Sequence, residues 1–131
     1  MRIWLPYPDT GGGADVFYDR LATGLGAYGH EVILQRIPRW LQFCPWPLRY
    51  LTRPQGIDAA ITNIGNAFAL AGLGFKIVAI EHHCVLDPSY KPHRNAKQAL
   101  YHETLTRYFE MRALLAADAI VAVSQYTADS L

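Results

Sequence analysis

The sequence predicts a three-layer α/β domain built on a mostly parallel sheet. Short apolar runs recur along the chain, separated by helical stretches or long crossovers, the alternation that parallel strands require. The amino-terminal order is strand, glycine loop, helix, strand, with Gly11-Gly12-Gly13 between the first run and the first helix. Apolar residues make up 51% of the chain against 18% charged, which suits a sheet buried on both faces or a surface normally covered by something else.

Ile3, Trp4 and Leu5 form the first strand, expected to stop at Pro6-Tyr7-Pro8 because proline cannot donate to a central ladder. Residues 9–13 are a breaker cluster. A helix follows from Ala14, with Phe17, Leu21, Leu25 and Tyr28 on its inner side, Asp15, Asp19 and Arg20 mostly off it, and Gly29 as its stop. Glu31 to Gln35 is the second strand, parallel to the first through a right-handed crossover.

Residues 36–56 break the rhythm. They hold four prolines together with Trp40, Phe43, Trp46 and Tyr50, interleaved with Arg36, Arg39, Arg49 and Arg53. Two readings stand: a covering loop or short helix packed on the sheet edge, or an exposed rim for a membrane or a bulky acceptor. Asp58 to Thr62 is the third strand, 63–66 a turn, and 67–72 a short apolar helix closed by Gly72 and Gly74. Lys76 to Ile80 is the fourth strand, followed at once by Glu81, His82, His83 and Cys84.

A longer helix is expected near 96–116. Tyr101, Leu105, Tyr108 and Leu115, joined by Leu100, Thr104 and Met111, form its inward stripe, and Gln98, Glu103, Arg107 and Glu110 its outer side. Ala119 to Val123 is the fifth strand, and Ser124 a suitable N-cap for the next helix. The chain ends at Leu131, early in that helix, so residues 1–131 are expected to be one domain cut from a longer protein.

The length suits one domain with its own core, and the composition excludes intrinsic disorder. A formal net charge of +1 gives no general field toward nucleic acid, which is not an expected partner. Cys44 and Cys84 share no CxxC spacing and are expected to be free thiols. No segment reaches the roughly 18 apolar residues needed to span a bilayer, so the expected location is cytoplasmic, with the inner face of the membrane as a further place of work.

Three groups of residues could carry chemistry. Backbone N–H groups of Gly11, Gly12 and Gly13, with the positive end of the helix, could hold a phosphate or carboxylate, although the pattern is neither GxGxxG nor a P-loop and a plain tight turn is the alternative. His82 and His83 follow the fourth strand, where open parallel sheets place their ligands; an imidazole there could donate to a hydroxyl or phosphate, or accept a proton. Their spacing to Glu81, Cys84 and His93 matches no standard zinc pattern, so no metal is expected. Asn63, Asn66, Asp87 and Arg94 are candidate contacts to an acceptor, with turn capping or a solvated face as their alternatives.

Gly11-Gly12-Gly13, the helix 14–29 and the entry Gly29-His30-Glu31-Val32 resemble the opening of retaining glycosyltransferases of the GT-B architecture, family four. Strand four ending in His82-His83 and the stretch Ala117-Asp118-Ala119-Ile120-Val121-Ala122-Val123-Ser124 are similar to the same family. The resemblance implies a Rossmann-like domain, the amino-terminal, acceptor-side half of a two-domain enzyme. It implies transfer of a sugar from a nucleotide diphosphate sugar to the hydroxyl of a small or lipid-linked acceptor, without a cofactor. It further implies that Gly11, Gly12 and Gly13 lie near the donor diphosphate or sugar, that His82 or His83 is catalytic, and that Ser124 is structural at the cleft edge. The donor-binding domain would lie outside this chain, which alone would be inactive. The rival reading is a non-catalytic nucleotide- or anion-binding α/β module.

Overall fold

The computed structural model describes residues 1–82 and 95–129. Five strands form one sheet in the order β2-β1-β3-β4-β5, every pairing parallel. They are β1 (Arg2–Pro8), β2 (Glu31–Ile37), β3 (Ala59–Asn63), β4 (Lys76–Glu81) and β5 (Ala119–Ala122). Helix α1 (Gly13–Ala27) covers one face. The other carries two 3-10 turns (Arg39–Gln42 and Trp46–Tyr50), α2 (Ile64–Ala67) with its 3-10 extension Phe68–Leu70, and α4 (Arg107–Ala116). A π-turn at His102–Thr106 joins α3 (Ala96–Tyr101) to α4, and α5 (Gln125–Asp129) follows β5. The result is the expected three-layer, Rossmann-like α/β domain.

Side-chain alternation along β1 divides the interior in two. Trp4 points into a core with Ile37, Leu41, Leu48, Phe68 and Phe109, whereas Ile3, Leu5 and Tyr7 point into a second core with Tyr18 and Ile80. Burial on both faces explains why β1 reads as a continuous apolar run.

β1 does not stop at its prolines; it runs through both to Pro8. Even-numbered residues of β1 face β3: Arg2 O accepts from Asp58 N–H, and Pro6 O accepts from the Thr62 hydroxyl at 2.9 Å. The missing donors of Pro6 and Pro8 therefore point toward β3, whose ladder with β1 is confined to Ile3↔Ala59 and Trp4↔Ala60, while β2 pairs along the full length of β1. The prolines sit where no ladder bond is made, so the ladder rule is respected within a continuing strand.

Three helix expectations shift. In α1 the buried residue is Tyr18, and Tyr28 is exposed at the C-cap. The residues expected as a turn at 63–66 are instead the N-cap and first turn of α2, because the Asn63 side chain accepts from Gly65 N–H at 3.1 Å. The largest change is in α4. A π-turn holds an extra residue and rotates everything after it relative to a continuous α-helix. Phe109, Glu110 and Ala113 face inward, and the expected inward residues Leu105, Tyr108, Met111 and Leu115 are exposed, as is Leu100 ahead of the π-turn. Leu41 and Leu48 pin the segment 38–50 to the sheet, leaving the rings of Trp40, Phe43, Trp46 and Tyr50 partly in solvent.

Candidate functional site

Chain order reverses between β1 and β3, and the carboxyl edge of a parallel sheet at such a point is where open α/β folds bind ligands. Two adjoining hollows open there, and Pro8, Asn63 and His82 line both. The first, about 440 Å³, is bounded by the initial turn of α1 at Gly13 and Ala14 and by Phe17 and Tyr18. The second, about 270 Å³, reaches between β4 and α4 and is bounded by Asn66, Glu81, Tyr101, His102 and Glu110.

Of the glycine triplet, Gly13 lines the first hollow, and Gly11 and Gly12 form the bend leading to it. Only Gly11 needs to be glycine on conformational grounds, at φ 66; a Cβ on Gly13 would meet open space. The bend is organised by the chain's own carboxylate. Asp15 accepts from Gly11 N–H at 2.7 Å, Thr10 N–H at 3.2 Å and the Thr10 hydroxyl at 3.4 Å. Desolvation works to raise the Asp15 pKa, but these donors and the Arg36 charge outweigh it and hold the carboxyl below its ordinary value. The donors of Thr10 and Gly11 are thus committed internally, and the part of the loop turned to the hollow is the first turn of α1.

His82 closes β4, with its ring edge-on to Phe17 at 4.9 Å, and its carbonyl accepts from the Thr127 hydroxyl of α5 at 3.4 Å. His83, Asp87 and Arg94 lie outside the described residues. Asn63 caps α2 from the rim shared by both hollows, and Asn66 is buried beside the second. Ser124 borders neither hollow. Its hydroxyl accepts from Thr127 N–H at 3.1 Å and lies 3.0 Å from the Thr127 hydroxyl, so it caps α5. Tyr18 lies under the first hollow, and burial pushes its phenol pKa up.

The second hollow contains groups that periodicity concealed. Glu81 and Glu110 are 2% and 3% exposed, one at the end of β4 and the other on α4. His102 opens the π-turn and Glu110 lies on the inner side of α4 beyond it, a phase the apolar periodicity does not show. Glu81, named in sequence only as a neighbour of the histidines, falls by strand alternation on the α4 side. Among the described residues no group of three or more His, Cys, Asp or Glu is arranged to hold a metal ion.

No protein-family model, curated protein or solved structure matches this chain. The architecture is compatible with a nucleotide-binding α/β module, and the cleft is the place in it where such a ligand would sit.

Proposed function

We propose that this chain is the acceptor-side domain of a retaining glycosyltransferase that moves a sugar from a nucleotide diphosphate sugar to an acceptor hydroxyl. The observation carrying the reading is the shared hollow: the first turn of α1 and His82 line one cavity at the switch point of the sheet. The positive end of a 15-residue helix favours a diphosphate whose charge grows as the sugar leaves. An imidazole at the same rim can donate to a sugar hydroxyl or take up a proton. Asn63 and Asn66 are suited to contacts with acceptor hydroxyls beside it. A second domain would supply the remaining donor contacts, so the domain alone would turn over no substrate.

The test is turnover of nucleotide diphosphate sugars by the full-length protein, comparing parent with His82→Ala and His83→Ala. The expected loss is about a hundredfold or more in one of the two variants. Parental rates in both would remove the histidines from the reaction. The second reading, a non-catalytic nucleotide- or anion-binding module, is favoured by the switch-point cleft taken alone. Calorimetry separates the two: tight binding of a nucleoside diphosphate by residues 1–131 supports the module, and feeble binding supports a half-site.

A further inference from the structure

An apolar stripe along the π-turn and α4 faces outward. Leu105, Tyr108, Met111 and Leu115 follow one another at three- and four-residue steps and all are exposed, Leu115 to 83%. The stripe continues onto the turns over the sheet: Trp46 stacks on Tyr108 with centroids 6.4 Å apart, and Phe43 meets Tyr101 at 5.9 Å. Trp40 and Tyr50, on the same two turns, are also exposed.

The charge around these rings is predominantly positive. No Asp or Glu occurs between Glu31 and Asp58, and Arg39, Arg49 and Arg53 are exposed within that interval. On α4 the exposed charges are Arg107 and Arg112, because Glu110 is turned inward; Glu103 on the π-turn is the exposed acid nearby. The guanidinium of Arg49 lies 6.0 Å from the ring centre of Tyr50, and that of Arg112 5.8 Å from the ring centre of Tyr108. Tryptophan and tyrosine with arginine among them is the mixture that settles at the headgroup level of a bilayer, rings at the acyl boundary and cations at the phosphates. Protein interfaces enrich the same aromatic and arginine residues; what favours an anionic surface here is the run of exposed arginines with no Asp or Glu across residues 32–57.

We propose that this face rests on an anionic lipid surface. Among the described residues no helix is long and apolar enough to cross a membrane, so the contact is peripheral. It stands independently of the sugar-transfer reading.

Co-sedimentation with phosphatidylcholine vesicles, with and without phosphatidylserine, tests the proposal. Binding is expected only with the anionic lipid. It should weaken about fivefold for each of Arg49→Ser and Arg112→Ser and fall with added salt. Trp40→Ser with Tyr50→Ser should also reduce it, while Arg20→Ser with Tyr28→Ser, on α1 across the sheet, should leave it unchanged. Circular dichroism checks that each variant is folded. Absent or equal binding to both vesicles overturns the proposal, as does an equal loss in the α1 control. Concentration-dependent self-association abolished by Trp40→Ser also overturns it, by giving the face to a second copy of the chain.

Discussion

Truncating Phe109 and its neighbour Tyr108 separately would measure the phase of α4. Phe109 is 1% exposed and stacks on Phe68 at 5.5 Å, with Trp46 edge-on at 5.2 Å. Phe109→Ala removes that burial and leaves a cavity between α4 and the sheet, at a cost of about 3–5 kcal/mol. Tyr108 is 44% exposed. Its truncation gives up a stack on Trp46, an edge contact with Phe68 and the Arg112 hydrogen bond to its hydroxyl, all near the surface, and is expected to cost about 1 kcal/mol. At about 4 °C per kcal/mol for a domain of this size, the shifts in Tm are roughly 12–20 °C and 4 °C. Urea unfolding followed by far-ultraviolet circular dichroism gives the same comparison through the midpoint at constant slope. An uninterrupted α-helix in the phase read from the sequence would reverse the order, so a Tyr108→Ala cost equal to or above that of Phe109→Ala refutes the π-turn register.

Acid should destabilise the fold through two carboxylates. Asp118 is held below its ordinary value by hydrogen bonds from the Lys76 amine and the Ile77 N–H, and Asp15 by the loop donors described above. Their stabilisation is complete above the ordinary value of 3.8 and is lost as pH falls through the lower folded values, so Asp118→Asn should flatten Tm against pH in that window. At the alkaline end the raised Lys76 and Tyr18 groups stabilise below their ordinary values of 10.5 and 10.0, and that contribution disappears as pH rises through the folded ones. Gly24→Ala places a Cβ in open space within α1 and should raise stability by about 1 kcal/mol. Gly11→Ala forces a side chain to φ 66 and should lower it by about 1–2 kcal/mol; equal responses in thermal melts would contradict these backbone assignments.

The sheet was legible because its signals are local. Val32-Ile33-Leu34 and Ile77-Val78-Ala79-Ile80 announce strands by short apolar runs, and Gly29, Gly72 and Gly74 mark chain reversals by a backbone conformation few other residues adopt. The proximity of Gly13 and His82 followed from parallel topology alone, since both lie at carboxyl ends of strands. What escaped depended on three-dimensional accidents of phase and direction. Nothing in His102-Glu103-Thr104-Leu105-Thr106 distinguishes a π-turn from an α-turn, and apolar periodicity alone puts Glu110 on the outer side of the helix, so the polar wall of the second hollow has no sequence signature. Pro6 and Pro8 look like a stop in sequence, which does not say which neighbour a strand's even residues face.

Those two prolines bear on how the cleft can evolve. Because Pro6 and Pro8 offer no N–H on the side toward β3, the upper part of β1 has no donors with which to extend that ladder at the point where the chain reverses. The fissure is written into the main chain rather than propped open by the residues around it. Its lining can therefore be exchanged, residue by residue, to suit different guests while the opening itself persists.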